Sequence, residues 1–432
     1  MRFDPDCRPS FSVSEHASSP SGPAWHVLRH APFRRYMTGE TISMLGTWMQ
    51  QTAQGWVVAG LTSSAFTLGL IHFCSGIPML LLTMHGGLAA DRYDKRRILI
   101  ITQVVQIVLA ISIGWLVGSG QIAVWHVVVA GVLLGISTAF EMPAAAALVP
   151  ELVERSQLKA AIAVDRSTFH ATRLAGPAIG GWLIGWLGTA SAFYANALSF
   201  VALIMAMLTL HPRPPGTEEE EAMRQTGMKE GFDYVRRDKP TLAMIWLLAT
   251  LTTCISPFFM ITMPLYSRHV LHIDAQSHGL LMASSGIGAF LGSLWLLTIK
   301  SDRRAMYMRW GAAVVCVCML SLALAQHFWQ AIAAMSVLTL GTSTMFGLAN
   351  TIVQERAPDA IRGRVSAILG LSFFGVLPFS GLAVSEIADL VGLRVAMAGG
   401  SLLFGLSAGV LLYSHRRLCM KQPVPAVVVG ET

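Results

Sequence analysis

The chain has 432 residues, 53% of them hydrophobic and 13% charged, with a formal net charge of +7. Soluble domains are about 25% charged, so too few polar groups are present to cover a water-facing surface, and the expected solvent is lipid. The Lys and Arg fall in short loops between apolar runs, a pattern that serves membrane orientation and argues against a nucleic-acid partner.

Residues 1–30 are rich in Ser, Pro and charge and contain no apolar signal core, so a disordered cytoplasmic tail is expected. Apolar runs follow at 35–60, 66–90, 98–118, 124–148, 158–187 and 191–211. After a polar segment they resume at 241–266, 277–299, 307–325, 328–351, 363–390 and 394–414. About 20 helical residues cross about 30 Å of hydrocarbon, and each run is near or above that length. The expected fold class is an all-α integral membrane protein with twelve transmembrane helices. They form one six-helix bundle over 31–211 and another over 241–415, with a cytoplasmic linker at 212–240 and a cytoplasmic tail at 416–432. Cys7, Cys74, Cys254, Cys316, Cys318 and Cys419 lack metal-ligand spacing and read as small hydrophobes.

One set of loops carries Arg34, Arg35, Arg92, Lys95, Arg96, Arg97, Arg155, Lys159, Arg236, Arg237, Lys239, Lys300, Arg303, Arg304, Arg356, Arg362 and Arg364, and the C-terminal tail adds Arg416, Arg417 and Lys421. The opposite loops carry only Arg268 and Arg394. The positive-inside rule puts the first set and both termini in the cytoplasm. Trp115, Trp125, Trp186 and Trp329 mark the outer ends, as an interfacial aromatic belt does. In the linker, Met228 to Arg237 reads either as an amphipathic helix on the membrane or as solvated chain.

The two sets of six runs also read as a repeat. Ser75-Gly76-Ile77 matches Ser285-Gly286-Ile287, and Gly69-Leu70 matches Gly279-Leu280, both at a shift of 210. Phe140 corresponds to Phe346, and Leu187-Gly188 to Val391-Gly392. A parallel repeat of this kind is a transporter arrangement, with the substrate site between the halves near the midplane.

The loop after the second run holds Gly87, Asp91, Arg92, Arg96 and Arg97. It resembles the G-x-x-x-D-R/K-x-G-x-R/K-R/K signature of the major facilitator superfamily, with Asp94 where Gly is usual. The fifth run carries Gly176, Pro177, Gly180 and Gly181, similar to the G-P-x-x-G-G signature of the antiporters in that superfamily. Ala163 and Thr172 replace two upstream glycines of the fuller pattern. With LVPELVERSQLKAA at 148–161 and RGRVSA at 362–367, the chain resembles the bacterial branch of enterobactin-exporter-like and drug-efflux proteins over nearly all of residues 30–415. The resemblance implies that Asp91 gates the cytoplasmic side through Arg92, Arg96 or a neighbouring helix; the plainer reading is a topology anchor. It ties the glycines of the fifth run to a leak-limiting packing hinge in exporters.

Ionisable groups inside lipid are costly and usually functional. Glu40, Met44, Thr47, Gln51 and Gln54 share one helical face in the first run, which the resemblance places on the central cavity. Glu40 suits proton coupling if buried, or is an interfacial acid paired with Arg34 or Arg35. Arg166, His170, Arg173 and Pro177 share a face of the fifth run, beside Asp165. Arg173 reads as an anion contact or a modulator of a coupling acid, or else as half of a buried ion pair. His170 reads as a packing group. Glu141 reads as a gate or cap, and the Arg often found in the fourth run of antiporters is absent from 124–140. Glu386 and Asp389 read as solvated outer-end acids. His269, His272 and His278 share an outer loop without metal-ligand spacing. Thr250, Thr252, Thr253, Ser256, Thr339, Thr342, Ser343 and Thr344 predict a polar, mostly uncharged cavity in the second half, with Pro257 and Pro264 as kinks.

No enzyme motif, cofactor site or metal site is legible. The expectation is a monomeric secondary active transporter of the bacterial inner membrane. It works by alternating access and exports small amphipathic, siderophore- or drug-like molecules in exchange for protons. The alternatives are a facilitator or importer on the same fold, or a non-transporting receptor.

Overall fold

The computed structural model describes residues 24–210, 229–358 and 361–414, and among them every regular element is helical. The expected tails at 1–23 and 416–432, linker residues 212–228, and Cys7 and Cys419 lie outside the described residues. The first half holds α1 (Ala31–Leu61), α2 (Ala65–Arg92), α3 (Lys95–Gly118), α4 (Val124–Leu148), α5 (Leu158–Leu187) and α6 (Ala190–Leu208). The second holds α7 (Lys229–Arg237), α8 (Lys239–Cys254), α9 (Ala275–Leu296), α10 (Arg304–Leu324), α11 (Phe328–Arg356), α12 (Arg362–Phe374), α13 (Leu377–Val391) and α14 (Leu393–Ser414).

Nine helices among the described residues are long and apolar enough to cross a membrane, with α12 and α13 counted as one span. Three further units stand among them. α1 and α5, of 31 and 30 residues, carry the polar faces described above. The third is α8 with the short turns Ser256–Met260, Met263–Leu265 and Tyr266–Val270. It breaks around Pro257 and Pro264, where proline lacks the N–H that continues a helix.

Local chemistry sets the helix ends. Ser64 caps α2 by accepting from the Thr67 N–H (3.3 Å), and Asp94 caps α3 by accepting from the Arg96 N–H (3.0 Å). The departure from Gly at position 94 is thus a helix cap. The repeat glycines Gly188 and Gly392 end α5 and α13 at φ of 80° and 88°, which a side chain would resist. Trp115, Trp125, Trp186 and Trp329 are all more than half exposed, as a lipid-facing belt requires.

Within the first half, α2 packs on α4, α1 on α5 and α6, and α3 on α4 and α6; within the second, α11 packs on α9 and α10, and α10 on α14. The halves meet along two seams, α2 against α13 and α5 against α9. The matched glycines explain themselves here. Gly69 and Gly76 sit against Ser385 and Pro378 on α13, and Gly279 and Gly286 against Gly181 and Leu174 on α5. Small residues let helix backbones approach where no hydrophobic force drives helices together.

α7 is docked on the second half. Glu230 pairs with Arg364, and the Tyr234 hydroxyl donates to the Arg356 carbonyl (2.7 Å). Arg356 forms a fork on Asp238, Nε to Oδ2 at 2.9 Å and Nη2 to Oδ1 at 2.6 Å. Burial pushes the Asp238 carboxyl up, but the Arg356 guanidinium and the Thr241 N–H outweigh it and hold it below its ordinary value. A carboxyl depressed on folding contributes stability that is complete above its unfolded pKa and lost as pH falls through the folded one. Asp238→Ala is expected to destabilise the second half by about 2–4 kcal/mol. Thermal unfolding in detergent checks this, and the deficit should vanish as the wild type itself is acidified below about pH 4.

Candidate functional site: the seam between the halves

The end of the bundle with Lys95, Arg304, Arg356 and Arg364 is the basic end, and the end with Gly188 and Gly392 is the far end. Among the described residues, specific contacts join the halves at the far end and in the middle. Asp389, at the C-terminal end of α13, accepts from three groups at the N-terminus of α2: Ser64 Oγ (2.5 Å), the Ala65 N–H (2.6 Å) and the Phe66 N–H (3.0 Å). This corrects the reading of Asp389 as merely solvated. A carboxylate is favoured at a helix N-terminus by unpaired N–H groups and the helix dipole, but the partner lies more than 300 residues away in sequence. His269 Nε2 is 2.9 Å from the Ala59 carbonyl, and the Arg268 guanidinium lies 5.1 Å from the Trp56 ring centre. His278 stacks on the other side of this cluster, 5.6 Å from Trp56, with Nδ1 2.8 Å from Ser267 Oγ. His278 is therefore inside α9 and buried rather than in an outer loop, and among the described residues no His, Cys, Asp and Glu group is placed to hold a metal.

In the middle, α5 is held on both sides by its glycines. Cβ atoms built at Gly176 and Gly180 would lie 2.4 Å from the Trp48 Cβ and 2.9 Å from the Met49 Cα on α1; one at Gly181 would lie 2.7 Å from the Gly279 Cα. The G-P-x-x-G-G stretch, with Pro177 inside α5, is thus a three-helix contact that includes the other half. Arg173 lies one turn before it, its guanidinium 5.8 Å from the Trp48 ring centre, a cation–π contact. Asp165 is half-buried, Arg166 is exposed, and His170 buries its Nδ1 without a partner.

On α1, Glu40 and Gln54 are half-buried, Gln51 is exposed, and Thr47 Oγ1 donates to the Ser43 carbonyl (3.0 Å). Met44 faces α5, its sulfur 4.0 Å from Thr172 Oγ1. The hydroxyl-rich stretches of the second half are less polar than expected. Thr250, Thr253, Thr339, Thr342 and Thr344 donate to carbonyls three or four residues earlier on their own helices.

At the basic end, the motif residues divide their work. Arg96 donates to the Leu210 (2.9 Å) and Leu208 (3.2 Å) carbonyls, so it ties α3 to the end of α6. Lys95 pairs with Glu151 (2.7 Å), and Arg97 is 3.9 Å from Asp94. Asp91 and Arg92 are exposed at the end of α2, and a Cβ at Gly87 would meet nothing within 4 Å. In the second half, Arg304 bonds Glu355 on α11, which fits an anchor.

The reading of Glu141 as a helix-end cap is also corrected. It sits within α4, and its carboxylate accepts from Gln103 Nε2 (2.7 Å) and Gln106 Nε2 (2.5 Å) on α3. Two glutamines three apart in an otherwise apolar run were the legible signal for this seat.

A helical membrane bundle of two repeated halves, meeting along glycine-lined seams with polar groups between them, defines a membrane transporter. The chain matches the family described as transmembrane secretion effector over residues 22–423 and belongs to that family, a branch of the major facilitator superfamily. It is 24% identical over 363 residues to the staphyloferrin A transporter of Staphylococcus aureus, covering 83% of this chain and 90% of that protein. It is 24% identical over 372 residues to the multidrug efflux pump Tap of Mycolicibacterium fortuitum, covering 82% and 89%. It is 23% identical over 416 residues to the enterobactin exporter EntS of Citrobacter koseri, covering 92% and 95%. Among solved structures, it shares its fold with a bacterial homologue of the human lysosomal transporter Spinster in an inward-facing, unoccupied conformation. The TM-score is 0.71 at 14% identity, over 94% of this chain and 100% of that one.

Proposed function

We propose that the protein exports small amphipathic organic molecules, siderophore- or drug-like, across a bacterial inner membrane in exchange for protons. The basic end and both termini lie in the cytoplasm, in keeping with the positive-inside rule. Twelve crossings in two six-helix bundles then surround the seam, and the unit works as a monomer. The observation that carries the reading is the closure of the seam at the far end, where Asp389, Arg268, His269 and His278 join the halves. Closure at that end is what the inward-facing member of an alternating-access pair requires. The siderophore and multidrug relatives support the substrate class.

In this scheme Glu40, Thr47, Gln51 and Gln54 on α1 and Asp165, Arg166 and Arg173 on α5 form the substrate and proton pathway. Asp91, with Gly87, Arg92, Arg96 and Arg97, belongs to the cytoplasmic gate. The test is flux in proteoliposomes, with siderophores, dyes and drugs assayed with and without an imposed pH gradient. Gradient-dependent movement of at least one class is expected; uptake that ignores the gradient would argue for a facilitator. Arg173→Ala and Asp91→Asn should each lower flux by about tenfold or more at unchanged expression, and normal flux in both would remove the roles given to them.

A further inference from the structure

We propose that Glu141 is a proton-binding carboxyl of the transport cycle, seated on the Gln103 and Gln106 amides; the cycle role rests on the proton-exchange reading above.

The seat lies between α3 and α4, and α2 also packs on α4. On α3, Gln103 and Gln106 are 0% and 5% exposed, and each places its Nε2 on one oxygen of the Glu141 carboxylate. Gln106 Nε2 is also 3.3 Å from Ser137 Oγ, one turn earlier on α4, and Ser137 Oγ donates to the Thr102 carbonyl (3.3 Å). α2 offers no side chain here: Gly86 packs against the Ala139 carbonyl and Phe140 of α4. α1 brings Tyr36 and Glu40, and α5 brings Asp165, which with Glu141 form one set of electrostatic neighbours.

Charge balance then decides the chemistry. The ion pairs among the described residues include neither Glu141 nor Glu40. Two amide donors hold the carboxylate in place without supplying a positive charge. Glu141 and Glu40 are half-buried, and a partly desolvated ion without a counter-charge is costly, the more so beside other carboxyls. The charge that can arrive and leave at such a place is a proton. A second observation points the same way: the Gln103 amide oxygen is buried beside the carboxylate with no donor. A carboxyl O–H is a donor and a carboxylate is not, so the seat has an acceptor suited to the protonated acid. Glutamine is suited to this because its amide can present either end to the acid.

The test uses the full-length protein in liposomes, with the proton itself as the probe. Infrared difference spectra between acid and neutral pH should contain a carboxyl C=O band that disappears in Glu141→Gln and shifts in frequency in Gln106→Met, which removes one N–H donor. Glu141→Gln keeps the side-chain shape, and Gln106→Met leaves the acid in place, so a folding failure of either leaves the other to decide. Ethidium flux driven by a pH gradient should fall by about tenfold or more in Glu141→Gln, while ethidium counterflow without a gradient is retained. A band unchanged in Glu141→Gln and unmoved in Gln106→Met overturns the site. If the band behaves as expected but wild-type ethidium flux ignores the gradient, proton exchange falls and the coupling role with it. If flux follows the gradient in Glu141→Gln as in wild type, exchange stands and the coupling role of Glu141 falls.

Discussion

Gly279→Val is expected to prevent closure of the far end and to abolish transport. A Cβ at this position would lie 2.5 Å from the Pro177 carbonyl oxygen and 2.6 Å from the Gly181 Cα. Both obstacles are backbone atoms of α5, which is itself held against α1 through Gly176 and Gly180, so no flexible side chain is available to yield. Overpacking of this kind costs about 1–3 kcal/mol or more, enough to move an open–closed equilibrium by about 5- to 150-fold. Spin labels at Ser63→Cys and Gln326→Cys, in a background without native cysteines, report the far-end separation across the halves. The long-distance population should grow in Gly279→Val. Gly87→Ala is the steric control: its Cβ meets nothing within 4 Å, so the far-end distances should stay at wild-type values. A Gly279→Val protein with wild-type distances and flux would refute the seam as a tight gate.

Asp389→Ala should open the same end by a different route. It removes three hydrogen bonds that join α13 to the start of α2. Bonds to a charged acceptor are the stronger kind, but this residue is exposed, and exposed charge interactions are worth less. A combined loss of about 1–2 kcal/mol is expected, a shift of about 5- to 30-fold toward the open far end. The same label pair reads it. Asp91 occupies the matching place at the opposite end, the C-terminal end of α2 at the basic face. If it gates the cytoplasmic side, Asp91→Asn should shift the equilibrium in the opposite direction. Unchanged distances in Asp389→Ala would reduce the contact to a helix cap without a gating role.

Several features were legible because they depend on composition or on local backbone chemistry. Gly188 and Gly392 were matched as a repeat, and both end a helix at positive φ. Pro257 and Pro264 were expected to bend the seventh run, and the helix breaks there. Other features depend on tertiary partners. Position along a helix describes Asp389 and Glu141 poorly, because their partners come from other helices, in one case from the other half. The threonine-rich stretches suggest a polar cavity, whereas their hydroxyls are largely satisfied by their own helices.

The sequence by itself determined that the chain is a multi-pass membrane protein, which end is basic, that the halves repeat, and which superfamily it belongs to. Each of these follows from the length of apolar runs, the placement of charge, and short motifs. Only the tertiary structure decided which faces meet: Gly181 on Gly279, Asp389 on the start of α2, Arg173 on Trp48, and Glu141 between two glutamines. The reason is physical. In water an apolar stripe marks the buried side of a helix, but in a membrane the lipid-facing side is as apolar as the packed one, so rotation about each helix axis, and with it the choice of neighbours, leaves little trace in the pattern of residues.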